Sequence, residues 1–200
     1  MGAVLGRSEV LQRAVPSDLK KQRCMKTLRL ILGDQLNASH PWFEGVSDEV
    51  VYLLAEMRQE TDYAPHHIQK VMAFFAAMRA FAEERRADGH RVVYLSLDEG
   101  RNTQGLEANV RMVMAEEGCE RFEYQLPDEW RLDAQLKAFA AEFGDRAEAA
   151  DTHHFLTRRG DLAEQFKGKK TYLMESFYRR MRKAHGVLME AGTDGQEPAG

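Results

Sequence analysis

The stretch Thr27-Leu-Arg-Leu-Ile-Leu32-Gly33-Asp34 predicts a short buried strand that ends in a turn. Similar apolar runs are predicted as strands at residues 49–55, 91–97 and 121–126, with a weaker one at 145–151. From the second strand onward, segments with helical periodicity lie between them. Strands that alternate with helices of about ten or more residues form a parallel sheet covered on both faces. The sequence therefore predicts an α/β fold, a Rossmann-like three-layer sandwich of about five parallel strands followed by C-terminal helices.

The helical segments are predicted from apolar residues at three- and four-residue spacing. Pro65 suits the first turn of the longest one, and glycines end several of them. The predicted helices span residues 65–88, 105–117, 127–143, 162–166 and 174–185. In the longest, the apolar stripe consists of Ile68, Val71, Met72, Phe75, Met78 and Ala82.

The composition is that of one globular domain, with 44% hydrophobic and 30% charged residues in a chain of 200. The first 24 residues carry a net charge of +3, which leaves −7 on the rest. A domain of that charge does not resemble an autonomous DNA binder, which needs a basic face.

No stretch approaches the roughly 20 apolar residues of a membrane helix. Two cysteines, Cys24 and Cys119, without a CxxC pair indicate a reducing, cytoplasmic setting.

Three regions are expected along the chain. Residues 1–24 lack both helical periodicity and the apolar core of a signal peptide. They are expected to be a disordered leader or a misassigned start before Met25, with a short targeting or regulatory arm as the alternative. Residues 25–190 form the α/β domain. Residues 191–200 are polar and glycine-rich, which is typical of a linker.

Two loops are expected to bind a ligand, because ligands of such sheets lie beyond the carboxyl ends of the strands, at the switch in strand order. The first is residues 33–36, after the first strand. The second is residues 56–67, which concentrate acidic, basic, aromatic and imidazole groups. The alternative interpretation of this second loop is that Glu56 and Arg58 are solvated and that Asp62 or Thr61 caps the following helix.

The sequence does not favour several common kinds of binding site. GxGxxG and GxxxxGK[ST] are absent, which argues against classical NAD binding and a phosphate-binding P-loop. His66 and His67 are adjacent and unlike a metal-binding HExxH pair, so no metal site is predicted. The basic run at 179–183 is interpreted as the solvated face of an amphipathic helix, with direct DNA contact as the alternative. The residues alone predict a Rossmann-like domain with a cleft for a small ligand.

Several motifs in order resemble the photolyase-related branch of the cryptochrome/photolyase family, over about residues 27–200. The first is Leu30-Ile-Leu-Gly-Asp-Gln-Leu36. The others are Glu56, Glu60, Tyr63, His66-His67 and Lys70, then Phe74-Phe-Ala-Ala-Met78-Arg79, Glu129-Trp-Arg131, Phe155-Leu156 and Met174-Glu-Ser-Phe-Tyr178-Arg-Arg-Met-Arg182.

The resemblance implies part of a light-dependent DNA photolyase or cryptochrome-like flavoprotein, a lyase or photoreceptor. Members of this family have an α/β antenna domain, then a helical domain that binds FAD and, in this branch, a 4Fe-4S cluster. The chain is thus expected to end before the FAD domain, which would be its partner in cis. Damaged DNA would bind through the full-length protein. The chain alone is expected to be monomeric, without a membrane partner, without catalytic residues and inactive.

The resemblance also implies an antenna chromophore, 6,7-dimethyl-8-ribityllumazine. Its expected contacts are Gly33, Asp34, Glu60, Tyr63, His66 and Phe74. Other members can have a smaller aliphatic residue at the position of Phe74, so a methenyl-folate antenna, or none, remains open. Two alternatives stay beside this function. One is a chromophore-free structural domain of the same protein. The other is a nucleotide-binding Rossmann-like enzyme with Asp34 and His66 in catalytic roles.

Overall fold

Five parallel strands form the central sheet of the computed structural model, which describes residues 25–58 and 66–188. The strands are β1 (Thr27–Leu30), β2 (Val50–Ala55), β3 (Arg91–Leu95), β4 (Arg121–Gln125) and β5 (Ala147–Ala150). The α-helices of the described residues are α1 (Ile68–Ala87), α2 (Leu106–Glu117), α3 (Trp130–Ala141), α4 (Asp161–Gln165) and α5 (Met174–His185). The predicted α/β class and the parallel five-stranded sheet are confirmed.

The strand order is β3-β2-β1-β4-β5, so the chain extends the sheet first to one side of β1 and then to the other. β1 pairs with β2 from Thr27↔Val50 to Leu30↔Leu53. On its other side β1 pairs with β4, from Thr27↔Arg121 to Leu30↔Tyr124. The two halves of the sheet therefore meet at β1 and β4.

Each face of the sheet has its own apolar core, because successive strand residues point to opposite faces. Leu28 and Leu30 of β1 join Phe122 of β4 on the face covered by α2 and α3, here called the α2–α3 face. On the other face, here the α1 face, Tyr52 and Leu54 of β2 pack with α1. The arrangement has three layers, as predicted.

The buried stripe of α1 differs from the predicted one in its first turn. Phe75, Met78 and Ala82 are buried as predicted, and Val71 is partly buried. Ile68 and Met72 were predicted to point inward, and this is wrong, since each is 64% exposed. Phe81, which the prediction omitted, is buried instead. The periodicity identified the helix, but it did not indicate which apolar side chains of the first turns are covered.

Local hydrogen bonds move two helix starts from their predicted positions. α1 begins at Ile68 rather than Pro65, because the Nδ1 atom of His67 accepts a hydrogen bond from the Gln69 amide at 3.2 Å and caps the helix. Asp62 and Thr61, the alternative caps, lie outside the described residues. α3 begins at Trp130 rather than near residue 127, because the Glu129 carboxylate accepts from the Leu132 amide at 3.0 Å.

Charged residues alternate with apolar ones along β4, because successive side chains of the strand point to opposite faces of the sheet. Phe122 and Tyr124 point into the α2–α3 core, while Arg121 and Glu123 lie on the α1 face. Glu123 pairs there with Arg29 of β1, with 2.8 Å between Nε and Oε2, and with Arg121 at 2.9 Å. Among the described helices, none is both long and apolar enough to cross a membrane.

Candidate functional site

Gly33 and Phe74, two of the residues predicted to bind a ligand, are in direct contact. Gly33 follows β1 at the carboxyl edge of the sheet, and Phe74 lies on the second turn of α1. A Cβ atom added to Gly33 would lie 2.7 Å from Cε1 of Phe74 and 2.8 Å from Sδ of Met78. These distances are shorter than real Cβ contacts, so any larger residue at position 33 would force the Phe74 ring or the Met78 side chain to move. The partly buried Phe74 ring thus covers the end of β1.

The other predicted ligand contacts lie around this pair or outside the described residues. Asp34, next to Gly33, has an exposed side chain. His66 is partly buried just before α1, with its Nδ1 atom 3.4 Å from Nζ of Lys70. Glu60 and Tyr63 lie outside the described residues. The structure therefore brings Gly33 and Phe74 together, with Asp34 beside them.

Glu56 lies just after β2 and is fully buried, so the interpretation of this side chain as solvated is wrong. Its carboxylate forms a bidentate ion pair with Arg79 of α1, at 2.6 Å to Nε and 2.9 Å to Nη2. The Tyr94 hydroxyl donates to Oε1 at 2.5 Å, and the Leu97 amide donates to Oε2 at 2.8 Å. The carboxylate thus joins β2, β3 and α1.

The same contacts determine how Glu56 titrates. Burial by itself raises the pKa of this carboxyl, but the hydrogen bonds from Arg79, Tyr94 and the Leu97 amide outweigh it. The pKa of Glu56 is therefore lowered, and the side chain stays ionised. Burial and the neighbouring carboxylate raise the pKa of Tyr94. A carboxylate that accepts four hydrogen bonds is a structural anchor rather than a general base.

The switch in strand order lies between β1 and β4. The ligand loops were predicted to follow the first and second strands. The loop after β1 is at the switch, as predicted. β2 is not at the switch, so the loop after β4 lies there in place of the one after β2. We call the carboxyl ends of β1 and β4 with residues 31–36 and 126–129 the switch edge. Strand order could not be read from the sequence, because periodicity does not specify which strands pair.

Gln35 connects the two sides of the switch edge. Its side chain is 1% exposed, its Oε1 atom accepts from the Leu32 amide at 3.0 Å, and its Nε2 atom donates to the Gln125 carbonyl at 3.2 Å. The sequence motif contains this residue, but no structural role was predicted for it. A glutamine two residues after the glycine that ends a buried strand is the signal that could have indicated such a role.

His40 makes a second connection across the switch. The ring is 3% exposed, and its Nδ1 atom accepts from the Trp42 amide at 3.2 Å. The proton is therefore on Nε2, which donates to the Asp151 carbonyl after β5 at 2.8 Å. Burial lowers the pKa of His40, and the positive charge of Arg29 lowers it further. The neutral ring holds the loop after β1 against the end of β5.

Asp128 organises the polar groups beyond β4. Its Oδ2 atom is 2.7 Å from Nδ1 of His154, and its Oδ1 atom is 2.9 Å from Nη2 of Arg159. Arg159 also donates to the Leu126 and Pro127 carbonyls, each at 2.7 Å. These bonds attach the segment after β5 to the switch edge. In residues 25–58 and 66–188, no group of three or more His, Cys, Asp or Glu side chains is placed to hold a metal ion.

The basic run of α5 makes contacts within the chain. Arg179 pairs with Glu175 at 2.8 Å, and Arg180 donates to the Gln165 side chain at 3.2 Å. Arg182 donates to the Leu188 carbonyl at 2.7 Å. These side chains are mostly exposed, which agrees with the interpretation of the run as the solvated face of an amphipathic helix. Contact with DNA stays a prediction.

Comparison with known proteins identifies two matches. The profile of the deoxyribodipyrimidine photo-lyase-related protein family matches residues 29–200. A (6-4) photolyase of Agrobacterium fabrum (strain C58 / ATCC 33970) is 35% identical over 177 residues, which are 88% of this chain and 34% of the relative. The chain therefore spans about a third of the length of this curated relative.

Proposed function

The chain belongs to the deoxyribodipyrimidine photolyase-related family, and from this premise we propose that it binds the antenna chromophore of a photolyase-like flavoprotein. The observation that carries the proposal is the contact between Gly33 and Phe74. Two residues from distant parts of the chain meet at the carboxyl edge of a parallel sheet, where such folds bind ligands. A backbone without a side chain there faces an aromatic ring, an arrangement suited to a flat heterocycle.

The proposed ligand is 6,7-dimethyl-8-ribityllumazine, and the side chains fit its chemistry. Its ribityl chain carries hydroxyl groups, which can donate hydrogen bonds to the exposed carboxylate of Asp34. The flat ring can pack against Phe74, and His66 lies at the start of α1 beside it. Glu60 and Tyr63 are included on the family resemblance. Glu60 can accept a hydrogen bond from the ring N–H, and Tyr63 can pack the ring.

The proposed role is to absorb near-ultraviolet or blue light and to transfer the excitation to a flavin. Such dipolar transfer needs a rigidly held ring and no acid–base catalyst. The described acidic group with the greatest burial, Glu56, is fully engaged in structural hydrogen bonds, which is consistent with that requirement. In this proposal FAD, the 4Fe-4S cluster and damaged DNA bind to parts of the longer protein outside the matched third.

A second candidate function is a chromophore-free structural domain of the same protein. Its supporting observation is the Phe74 ring, which fills the space directly above Gly33. In this alternative, the ring replaces a chromophore instead of packing against one. The two functions differ in one measurable property, which is saturable binding of the lumazine.

An absorption and fluorescence titration of the purified chain with 6,7-dimethyl-8-ribityllumazine tests the proposal. We expect saturable binding with a perturbed spectrum. Phe74→Trp should abolish binding if Phe74 lines the site, because the larger side chain would take the space of the chromophore ring. Phe155→Trp is the matched control, since Phe155 is 66% exposed and lies after β5. Absence of binding by a chain that circular dichroism shows to be folded would contradict the proposal and support the chromophore-free domain.

A further inference from the structure

Gln125, the last residue of β4, has a buried side-chain amide with no hydrogen-bond partner among the described residues. The residue is 1% exposed, and neither its Nε2 nor its Oε1 atom is paired. Its main chain is engaged, since its carbonyl accepts from Gln35 at 3.2 Å. Nearly all buried polar side-chain atoms in folded proteins are paired, and leaving them unpaired costs stability. A side chain with both atoms unpaired therefore indicates that something else completes the bonding.

The position of this amide is at the ligand edge of the sheet. Gln125 pairs in register with Ala150 of β5 and lies beside Ile31, the residue after β1. By the alternation along β4, its side chain shares the α1 face with Glu123, opposite to Tyr124. Gly33 lies two residues beyond Ile31, on the same face as Phe74. The unpaired amide and the Gly33–Phe74 contact therefore lie on one face, at one edge.

We infer that the Gln125 amide recognises the ligand of the switch edge, and that this ligand is a flat heterocycle with a lactam edge. A lactam presents an N–H next to a C=O. Oε1 of Gln125 can accept from that N–H while Nε2 donates to that carbonyl, so that two parallel hydrogen bonds satisfy both buried atoms. The inference rests on the proposed function and adds a residue and a recognition chemistry to it. It assigns the single ring N–H of the lumazine to Gln125 in place of Glu60.

A lactam explains the observation better than other ligand groups do. A carboxylate or phosphate would satisfy the Nε2 donor and leave the Oε1 acceptor unpaired. An ammonium group would do the reverse. A ligand with a donor and an acceptor side by side pairs both atoms at once, and lumazines, pterins and pyrimidinediones share this edge. A binding pocket typically contains few such polar groups, each of which fixes the orientation of the ligand.

The test compares Gln125→Met with the wild-type chain. Methionine keeps the length of the side chain and removes both polar atoms. The probes are 6,7-dimethyl-8-ribityllumazine, its N3-methyl derivative, which has lost the ring N–H, and 5,10-methenyltetrahydrofolate. We expect wild type to bind one of the two unmethylated rings, and Gln125→Met to bind it at least about tenfold more weakly. For the lumazine, methylation should weaken wild-type binding by a similar factor and leave Gln125→Met unaffected.

Two controls separate binding from folding. Gln135→Met makes the same change at a glutamine whose Nε2 atom donates to Glu107 at 3.1 Å, away from the switch edge, and should bind normally. The thermal midpoint of unliganded Gln125→Met should equal or exceed that of wild type, because the variant removes an unpaired buried amide. A clear fall in that midpoint, or failure to fold, would mean that the amide is paired within the protein and would overturn the inference.

The binding outcomes distinguish this inference from the proposed function. If wild type binds a probe and Gln125→Met binds it equally well, the inference is wrong and the antenna function stands. In that case the amide contacts water only. If wild type binds neither unmethylated ring, both the inference and the proposed function are wrong.

Discussion

Glu56 and Gln125 are both buried polar side chains at the carboxyl edge of the same sheet, yet their surroundings are opposite. Glu56, after β2, accepts hydrogen bonds from Arg79, Tyr94 and the Leu97 amide. Gln125, at the end of β4, has a side chain without a partner in the described residues. Burial alone therefore does not distinguish a structural group from a binding group. The hydrogen bonds that each group already makes separate the two roles.

The largest difference in stability is expected between two variants that place methionine at position 56 or at position 125. Glu56→Met should lower the free energy of unfolding by about 2–4 kcal/mol, because it leaves the Tyr94 hydroxyl and the Leu97 amide without their acceptor. Gln125→Met should cause no loss. Urea unfolding followed by circular dichroism measures both values. Equal losses in the two variants would remove the distinction between the two regions.

Acid should reduce the stability that the Glu56 carboxylate contributes to the folded chain. The pKa of Glu56 in the folded chain is below its ordinary value of 4.5, so the unfolded chain takes up the proton first as the pH falls. The stability contributed by this carboxylate is present above pH 4.5 and is lost as the pH falls through the lower folded value. The difference between wild type and Glu56→Met should therefore shrink below that pH. A difference that grows in acid would contradict the assigned direction.

A smaller effect is expected where the backbone meets the Phe74 ring. Gly33→Ala should destabilise the chain by about 1–3 kcal/mol, because the added methyl group overlaps Phe74 and Met78. Gly45→Ala is the matched control, since no atom lies within 4 Å of its added Cβ. The double variant Gly33→Ala/Phe74→Ala should be less destabilised than the sum of its single variants. Additive losses would show that the ring does not cover Gly33 in solution.

The smallest effect is expected at His40. Burial lowers its pKa below 6.5, so the unfolded chain binds the proton more readily and folding stability falls as the pH drops below that value. The pKa of His90 is also lowered by burial, so part of this loss has a second source. His40→Asn keeps a residue that can cap the turn and removes the titrating ring. Its loss of stability between about pH 7.5 and about pH 5 should be smaller than that of wild type.

The sequence predicted the elements of the fold because their signals are local. Apolar runs such as residues 27–32 and the periodicity of α2, with Leu106, Val110, Val113 and Met114 buried, specify strands and helices without tertiary information. The exposure of Ile68 and Met72 was not predictable in this way. Their spacing fits the stripe, but exposure depends on which elements of the fold pack over this end of α1, and periodicity does not specify that.

The candidate site was predictable only in part. The resemblance identified Gly33 and Phe74, which the fold brings together across about 40 residues of chain. The proposed role of Gln125 depends on the pairing of β4 with β1 and on a side-chain amide that has no partner among the described residues. Both are tertiary properties, and no local pattern contains them. The pairing of Glu56 with Arg79 is of the same kind, since it depends on how α1 packs across β2 and β3.

The bond between the His40 imidazole and the Trp42 amide allows local opening to be followed by hydrogen exchange. The Trp42 amide has the ring as its acceptor, and the same ring is attached to the carbonyl of Asp151. Exchange of that amide hydrogen with solvent requires its bond to the His40 ring to break, and we expect the ring to leave when the contact between the β1 loop and the end of β5 opens. Slow exchange of this proton in wild type, and faster exchange in a variant that lacks the His40–Asp151 bond, would show that this contact protects it.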